Sequence, residues 1–171
     1  MTHSILIKRN VIETEAVFSE CGSYRYLLSR SIQGKPRKMT FIMFNPNVRD
    51  DIQLGPTSNY CFNYAINKGY GKVEIVNLFA LRTRNIKELK QRVKSEEIDP
   101  IGGLNDNYIT NSIKDADKVI IAWGSEGGFK RRDSQVLKLL KGTNIYCFGK
   151  SKKNKPVYPK REKNTKLMSL I

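Results

Sequence analysis

The residues of this chain best suited to chemistry sit where short apolar runs stop. Met39–Asn47 (MTFIMFNPN), Val73–Arg82 (VEIVNLFALR) and Val119–Gly124 (VIIAWG) each end in a small cluster of polar, aromatic or glycine residues. Asn45-Pro46-Asn47 puts two side-chain amides on a backbone stiffened by proline, with Asp50 and Asp51 a few residues on. Amides beside carboxylates suit recognition of a base or ribose, and a carboxylate can orient an attacking water. Asp50 and Asp51 are therefore the catalytic candidates. The same residue types also build turns, and the sequence leaves both readings open.

The second cluster is Asn77-Leu78-Phe79-Ala80-Leu81-Arg82-Thr83. Asn77 ends an apolar strand, and a buried amide without a partner is costly, so it needs a neighbour or a ligand. Phe79 offers a flat face for stacking, and Arg82 can grip phosphate or carboxylate with its fork. The competing reading puts Phe79 in the core and pairs Arg82 with Asp99. In the third cluster the single tryptophan, Trp123, precedes Gly124 and Ser125-Glu126-Gly127-Gly128. Small residues let a ligand approach the backbone closely. A tryptophan capping the core fits equally well. GSEGGFKRR is not a P-loop, because it lacks the spacing and the Gly-Lys-Ser/Thr ending.

Apolar runs of this length between helix-like segments read as buried parallel strands, and ligands lie beyond the carboxyl ends of such strands. Asn45, Asn47, Asn77, Phe79, Arg82, Trp123 and Gly124 are thus expected to converge on one crevice. The strands are placed at Met39–Phe44, Lys72–Leu78, Lys118–Trp123 and Asn144–Phe148, preceded by an antiparallel pair, Asn10–Glu20 and Tyr24–Ile32. Helices are expected from Thr57 or Ser58 as cap to Gly69, over Asn85–Lys94, over Leu104–Ala116, and over Arg131–Lys141 with Val136, Leu137, Leu139 and Leu140 inward. The expected fold is α/β: a three-layer α/β/α sandwich with a mainly parallel four-stranded central sheet and the N-terminal antiparallel pair at one edge. Residues 1–171 read as one domain, with a basic C-terminal tail over 150–171.

The net charge of +15 favours polyanions, so nucleic acid or a nucleotide is the expected partner. Lys150, Lys152, Lys153 and Lys155 can neutralise phosphates with little sequence preference, or simply form a solvated tail. Those lysines could line the crevice mouth, and Tyr158, near Pro156 and Pro159, is expected to pack rather than be disordered and is counted among the ligand-binding candidates. No run approaches the roughly 20 apolar residues of a membrane span, and a cytoplasmic location is expected. Cys21, Cys61 and Cys147 read as buried free thiols. With one histidine and no CxxC pair, neither a metal site nor a cofactor is expected.

The ordered series FNPN, PTSNYC, NLFALRT, DPIGGLND, AWG and KPVYP resembles the family called domain of unknown function 1643. The resemblance runs from Phe41 to Pro159. It implies a shared pocket built from Asn45, Pro46, Asn77, Phe79, Arg82, Asp99, Asn105, Asp106, Trp123 and Gly124, with no assigned activity. Two positions depart from the family pattern: its Ser-Thr after Asn-Pro is here Asn47-Val48, and its late histidine is here Tyr158. A weaker, architectural similarity is to uracil-DNA glycosylases. It implies that Asp50 or Asp51 positions water, Asn77 reads a flipped base and Phe79 stacks on it. The expected function is action on nucleic acid or a nucleotide, hydrolytic on a base or N-glycosidic bond. The alternative is a binding protein without catalysis that sequesters a phosphorylated nucleotide or masks DNA.

Overall fold

A computed structural model of the chain describes residues 6–48, 52–159 and 167–170. Its strands form one mixed sheet of seven in the order β1-β2-β4-β3-β5-β6-β7. They are β1 (Ile12–Phe18), β2 (Arg25–Ile32), β3 (Lys38–Met43), β4 (Lys72–Asn77), β5 (Lys118–Ile121), β6 (Ile145–Cys147) and β7 (Met168–Ser169). Strands β4, β3, β5 and β6 run parallel, while β1 and β2 extend one edge antiparallel and β7 caps the other. The expected sheet lacked this last strand. Its two residues lie in the segment read as a charged tail, where nothing in the local sequence alternates long enough to mark a strand.

β3 sits in the middle because its sequence can be covered on both sides. All six of its residues are buried. Phe41 and Met39 pack with Cys61, Phe62 and Ala65 of α1 (Pro56–Asn67). Ile42 faces the opposite cluster, with Leu89 of α2 (Ile86–Ser95), Ile109 of α3 (Asn105–Lys114) and Val136 of α4 (Arg132–Leu139). Alternation along one strand thus feeds two separate cores. At its start the buried Lys38 ammonium meets Glu74 at 3.2 Å and Asp115 at 3.5 Å, so this charge is paired rather than stranded.

The order of the parallel strands, β4-β3-β5-β6, places a topological switch point at β3. The chain leaves β3 through α1 to reach β4 on one side, and returns through α2 and α3 to β5 on the other. Connections diverging from neighbouring strand ends open a crevice between them.

Some element ends differ from expectation. The N-cap of α1 is Gly55, with Pro56 in the first turn, rather than Thr57 or Ser58. Proline lacks the N–H that a cap would have to satisfy, and its ring presets the helical φ. Leu137 and Leu139 are 42% and 37% exposed, because α4 ends after two turns and only Val136 and Leu140 reach the core. Gly124–Gly128, expected to be a loop, opens a short 3-10 segment, Ser125–Arg131. Cys21 is exposed on the β1–β2 turn, whereas Cys61 and Cys147 are buried. No helix among the described residues is long and apolar enough to cross a membrane.

Candidate functional site

A cavity of about 810 Å³ lies beyond the carboxyl ends of β3, β4 and β5. Each strand delivers residues at its last ladder pair or within a few positions past it. β3 brings Phe44 and Asn45, β4 brings Asn77, and β5 brings Trp123 and Gly124. Further lining comes from the first turn of α1, with Thr57 and Ser58, from Arg84 just before α2, and from Lys87 in its first turn. Ser151, Pro156, Val157 and Tyr158 complete the lining.

Among the wall residues, Asn77 Nδ2 and Trp123 Nε1 are buried donors without a hydrogen-bond partner among the described residues. Both side chains are about 1% exposed. A buried donor left unpaired costs about 1–3 kcal/mol, so two on one cavity wall are a standing demand for acceptors. The backbone of Asn77 is held by its neighbours. Asn105 Nδ2 donates to the carbonyls of Asn77 (3.0 Å) and Leu78 (3.1 Å), and Arg132 Nε donates to Leu78 O at 2.9 Å. The Arg132 guanidinium also pairs with the Asp106 carboxylate. Asn105, Asp106 and Arg132 therefore fix a strand end whose side chain faces the cavity.

Trp123 depends on two glycines. Gly124 has φ of 76°, which only glycine adopts without strain, and this turns the chain sharply after β5. Gly127 packs on the indole edge, where a Cβ would lie 2.2 Å from Trp123 Cδ1 and 2.5 Å from Nε1. Only a residue without a side chain allows the turn to close against the indole there.

The charge on the wall is mainly positive. Arg25, at the start of β2, is 1% exposed and lines the cavity with Arg84 and Lys87. Among the described residues Glu126 is the sole carboxylate on the wall, and it is paired with Lys90. Asn45 is tied down locally, its Nδ2 donating to Thr83 Oγ1 at 2.8 Å and to Pro46 O at 3.1 Å.

Other sequence-derived candidates lie elsewhere. Phe79 is fully buried between Phe44 and Phe129, with ring centroids 5.2 and 5.7 Å away, and is not on the cavity wall. Arg82 donates to Gly22 O at 2.9 Å and Val48 O at 2.6 Å and stacks over Phe18, pinning the β1–β2 turn. It does not meet Asp99, whose carboxylate accepts the N–H groups of Ile101 and Gly102. Asn47, Tyr158 and Gly124 line the cavity with Asn45, Asn77 and Trp123. Lys150, Lys152 and Lys153 are exposed and off its wall. Lys155 is bound to Asp133 at 2.8 Å. Burial alone would raise the Asp133 carboxyl, but Lys155 and the Ser134 N–H overrule it and hold the group below its ordinary range. Asp50 and Asp51 lie outside the described residues. The described residues contain no group of three or more His, Cys, Asp or Glu able to hold a metal ion.

Sequence reasoning did not single out Arg25, Arg84, Lys87 or Glu126 for the site. Arg25 had one available signal, a charge opening the strand RYLLSRSI just ahead of its apolar Tyr26-Leu27-Leu28. Thr57 and Ser58 were read only as caps.

Fold and cavity together define an α/β protein with a donor-lined cavity at its strand ends. The family described as Protein of unknown function (DUF1643) matches residues 25–160. The chain belongs to that family. No curated protein and no solved structure gives a significant match, so the architectural likeness to uracil-DNA glycosylases gains no support from these comparisons.

Proposed function

We propose that the cavity binds a nucleotide unit, free or within a nucleic acid strand. The observation that carries this reading is the pair of unpartnered buried donors, Asn77 Nδ2 and Trp123 Nε1, on a wall that also holds Arg25, Arg84 and Lys87. Acceptor-rich ligands suit such a wall, and base carbonyls with phosphate oxygens supply acceptors at both ends. A volume of about 810 Å³ falls in the range of small-ligand sites, roughly 300–1,000 Å³. The net charge of +15 would draw polyanions toward it. Lys150, Lys152 and Lys153 are free to add diffuse phosphate attraction outside the cavity, where Arg82 plays no part. A cytoplasmic location belongs to this proposal, as does the finer description of the fold as a three-layer α/β/α sandwich around four parallel strands.

Titration with a panel of nucleosides, nucleotides and short single-stranded oligonucleotides tests the reading, followed by thermal shift and by the emission of the single tryptophan. A ligand of the native state alone raises the melting midpoint as its concentration grows. Flat responses across the panel would refute it. In its enzymatic form the protein hydrolyses a base or N-glycosidic bond, with Asp50 or Asp51 directing water. Abasic sites in uracil-containing or otherwise modified DNA would be the product. Binding without any such product would confine the protein to the sequestering or masking role.

A further inference from the structure

We infer that the outer edge of β1 is a self-association surface, on which a second copy of this chain pairs antiparallel over residues 7–17 and joins the two sheets.

Among the described residues no strand lies beyond β1, which ends the sheet. The segment along this edge, LIKRNVIETEAVF from Leu6 to Phe18, contains no proline or glycine. Edge strands are ordinarily short or interrupted, because their outward N–H and C=O groups template further pairing. Large apolar side chains also stand in solvent here: Leu6, Ile7, Val11 and Ile12 are 79%, 72%, 55% and 50% exposed. The same strip holds two bases, Lys8 and Arg9, and two acids, Glu13 and Glu15, so it is neutral in a chain of net charge +15. Copies that repel one another elsewhere can meet along it.

The ladder with β2 fixes which backbone groups face outward. Gln33 N–H donates to Val11 O at 3.1 Å, whereas Ile32 N–H donates to Gly71 O at 2.8 Å, on the other side of β2. Ile12 lies opposite Ile32. Hydrogen-bonded and non-hydrogen-bonded pairs alternate in an antiparallel ladder, so the N–H and C=O groups of Ile12, Thr14 and Ala16 point to the outer edge.

A partner strand must set its own outward-facing positions against these, which restricts the register to steps of two residues. With Ile12 on the two-fold axis, Arg9 lies opposite Glu15 of the second copy, and Ile7 opposite its Val17; symmetry repeats both contacts. One step in one direction sets Glu13 against Glu13, and like charges directly opposite are destabilising. One step in the other sets Ile7 against Glu15. The central register alone joins opposite charges and apolar side chains together. Glu13 already accepts a hydrogen bond from Ser31 Oγ at 3.4 Å, which leaves Glu15 as the acid for Arg9. The axis reverses strand direction, so the two cavities open at opposite ends of the joined sheet.

Sedimentation velocity on the full chain, freed of nucleic acid, tests the pairing. The parent should shift from monomer to dimer as its concentration rises. Glu15→Lys, at an exposed position, sets like charges together at both symmetry-related contacts and should weaken the dimer roughly tenfold or more. Arg9→Glu combined with Glu15→Arg exchanges the partners and should recover most of the association. Thr14→Pro removes an outward N–H without breaking the β2 ladder and should give a monomer. Hydrogen exchange of the parent supplies a readout that needs no variant. The amides of Ile12, Thr14 and Ala16 should exchange slowly in concentrated protein and fast on dilution, while those of Glu13 and Glu15, held by β2, stay slow.

A parent that is monomeric at every concentration would overturn the proposal. So would a dimer that Glu15→Lys leaves unchanged, or one whose outward β1 amides exchange as fast as in the monomer. An exchanged pair no tighter than Glu15→Lys alone would overturn the register.

Discussion

Asn105→Ala should destabilise the protein and disturb the cavity in one stroke. The side chain is fully buried, and its amide donates to two buried carbonyls, Asn77 O and Leu78 O. Leu78 O keeps the Arg132 Nε bond, so the larger loss falls on Asn77. Each hydrogen bond contributes about 0.5–1.5 kcal/mol net, a buried carbonyl left bare costs about 1–3, and the vacated amide adds a small cavity term. The sum is roughly 2–4 kcal/mol, a large share of the roughly 5–15 kcal/mol typical of a domain. Urea unfolding should move its midpoint down by about 1–2 M. Asn105→Asp separates hydrogen bonding from packing. It keeps the volume but turns carboxylate oxygen toward the same carbonyls, so it should cost at least as much at neutral pH. Protonation restores one donor, so its deficit relative to the parent should shrink as pH falls. A midpoint within error for Asn105→Ala, or an Asp variant as stable as the parent at pH 7, would refute the assigned role.

Three further outcomes follow from the same geometry. Gly127→Ala must push a methyl into space 2.2 Å from Trp123 Cδ1, and overpacking of this kind costs about 1–3 kcal/mol; tryptophan emission and the thermal midpoint should both shift. Cys21 is the reactive thiol, its pKa lowered to about 7 first by the Ser19 hydroxyl and then by Ser23, so its alkylation should rise as pH climbs through 7. Peptide mapping should find Cys21 labelled in the native protein and Cys61 and Cys147 labelled only after unfolding. Asp133 has a folded pKa below its unfolded value, so the pair with Lys155 stabilises above the unfolded value and fades as pH falls through the folded one. Lys155→Met should therefore destabilise at neutral pH and lose less on acidification than the parent, measured by urea midpoints from pH 7 down to the acid limb.

The sequence by itself determined the parallel strands and where their ends lie. Buried strands in the middle of a sheet must be largely apolar on both faces, so β3, β4 and β5 stand out as runs, and the polar, aromatic or glycine residues after each run mark the strand end to within a residue or two. Asn45, Asn77 and Trp123 were legible for this reason, as was the family through NLFALRT, DPIGGLND and AWG. The tertiary structure decided which side each neighbouring residue takes. Phe79 lies two positions after Asn77, yet the turn carries it into the core between Phe44 and Phe129. Arg82 is drawn instead to carbonyls of Gly22 and Val48, which are 60 and 34 residues away. Local patterns cannot encode such partners, because their identity depends on which segments the crossovers bring together. For the same reason Arg25, Arg84 and Lys87 became one positive wall only after β2 and α2 were placed around β4. Glycine carries no side chain to announce its purpose, so only the packed chain showed that Gly127 seats Trp123.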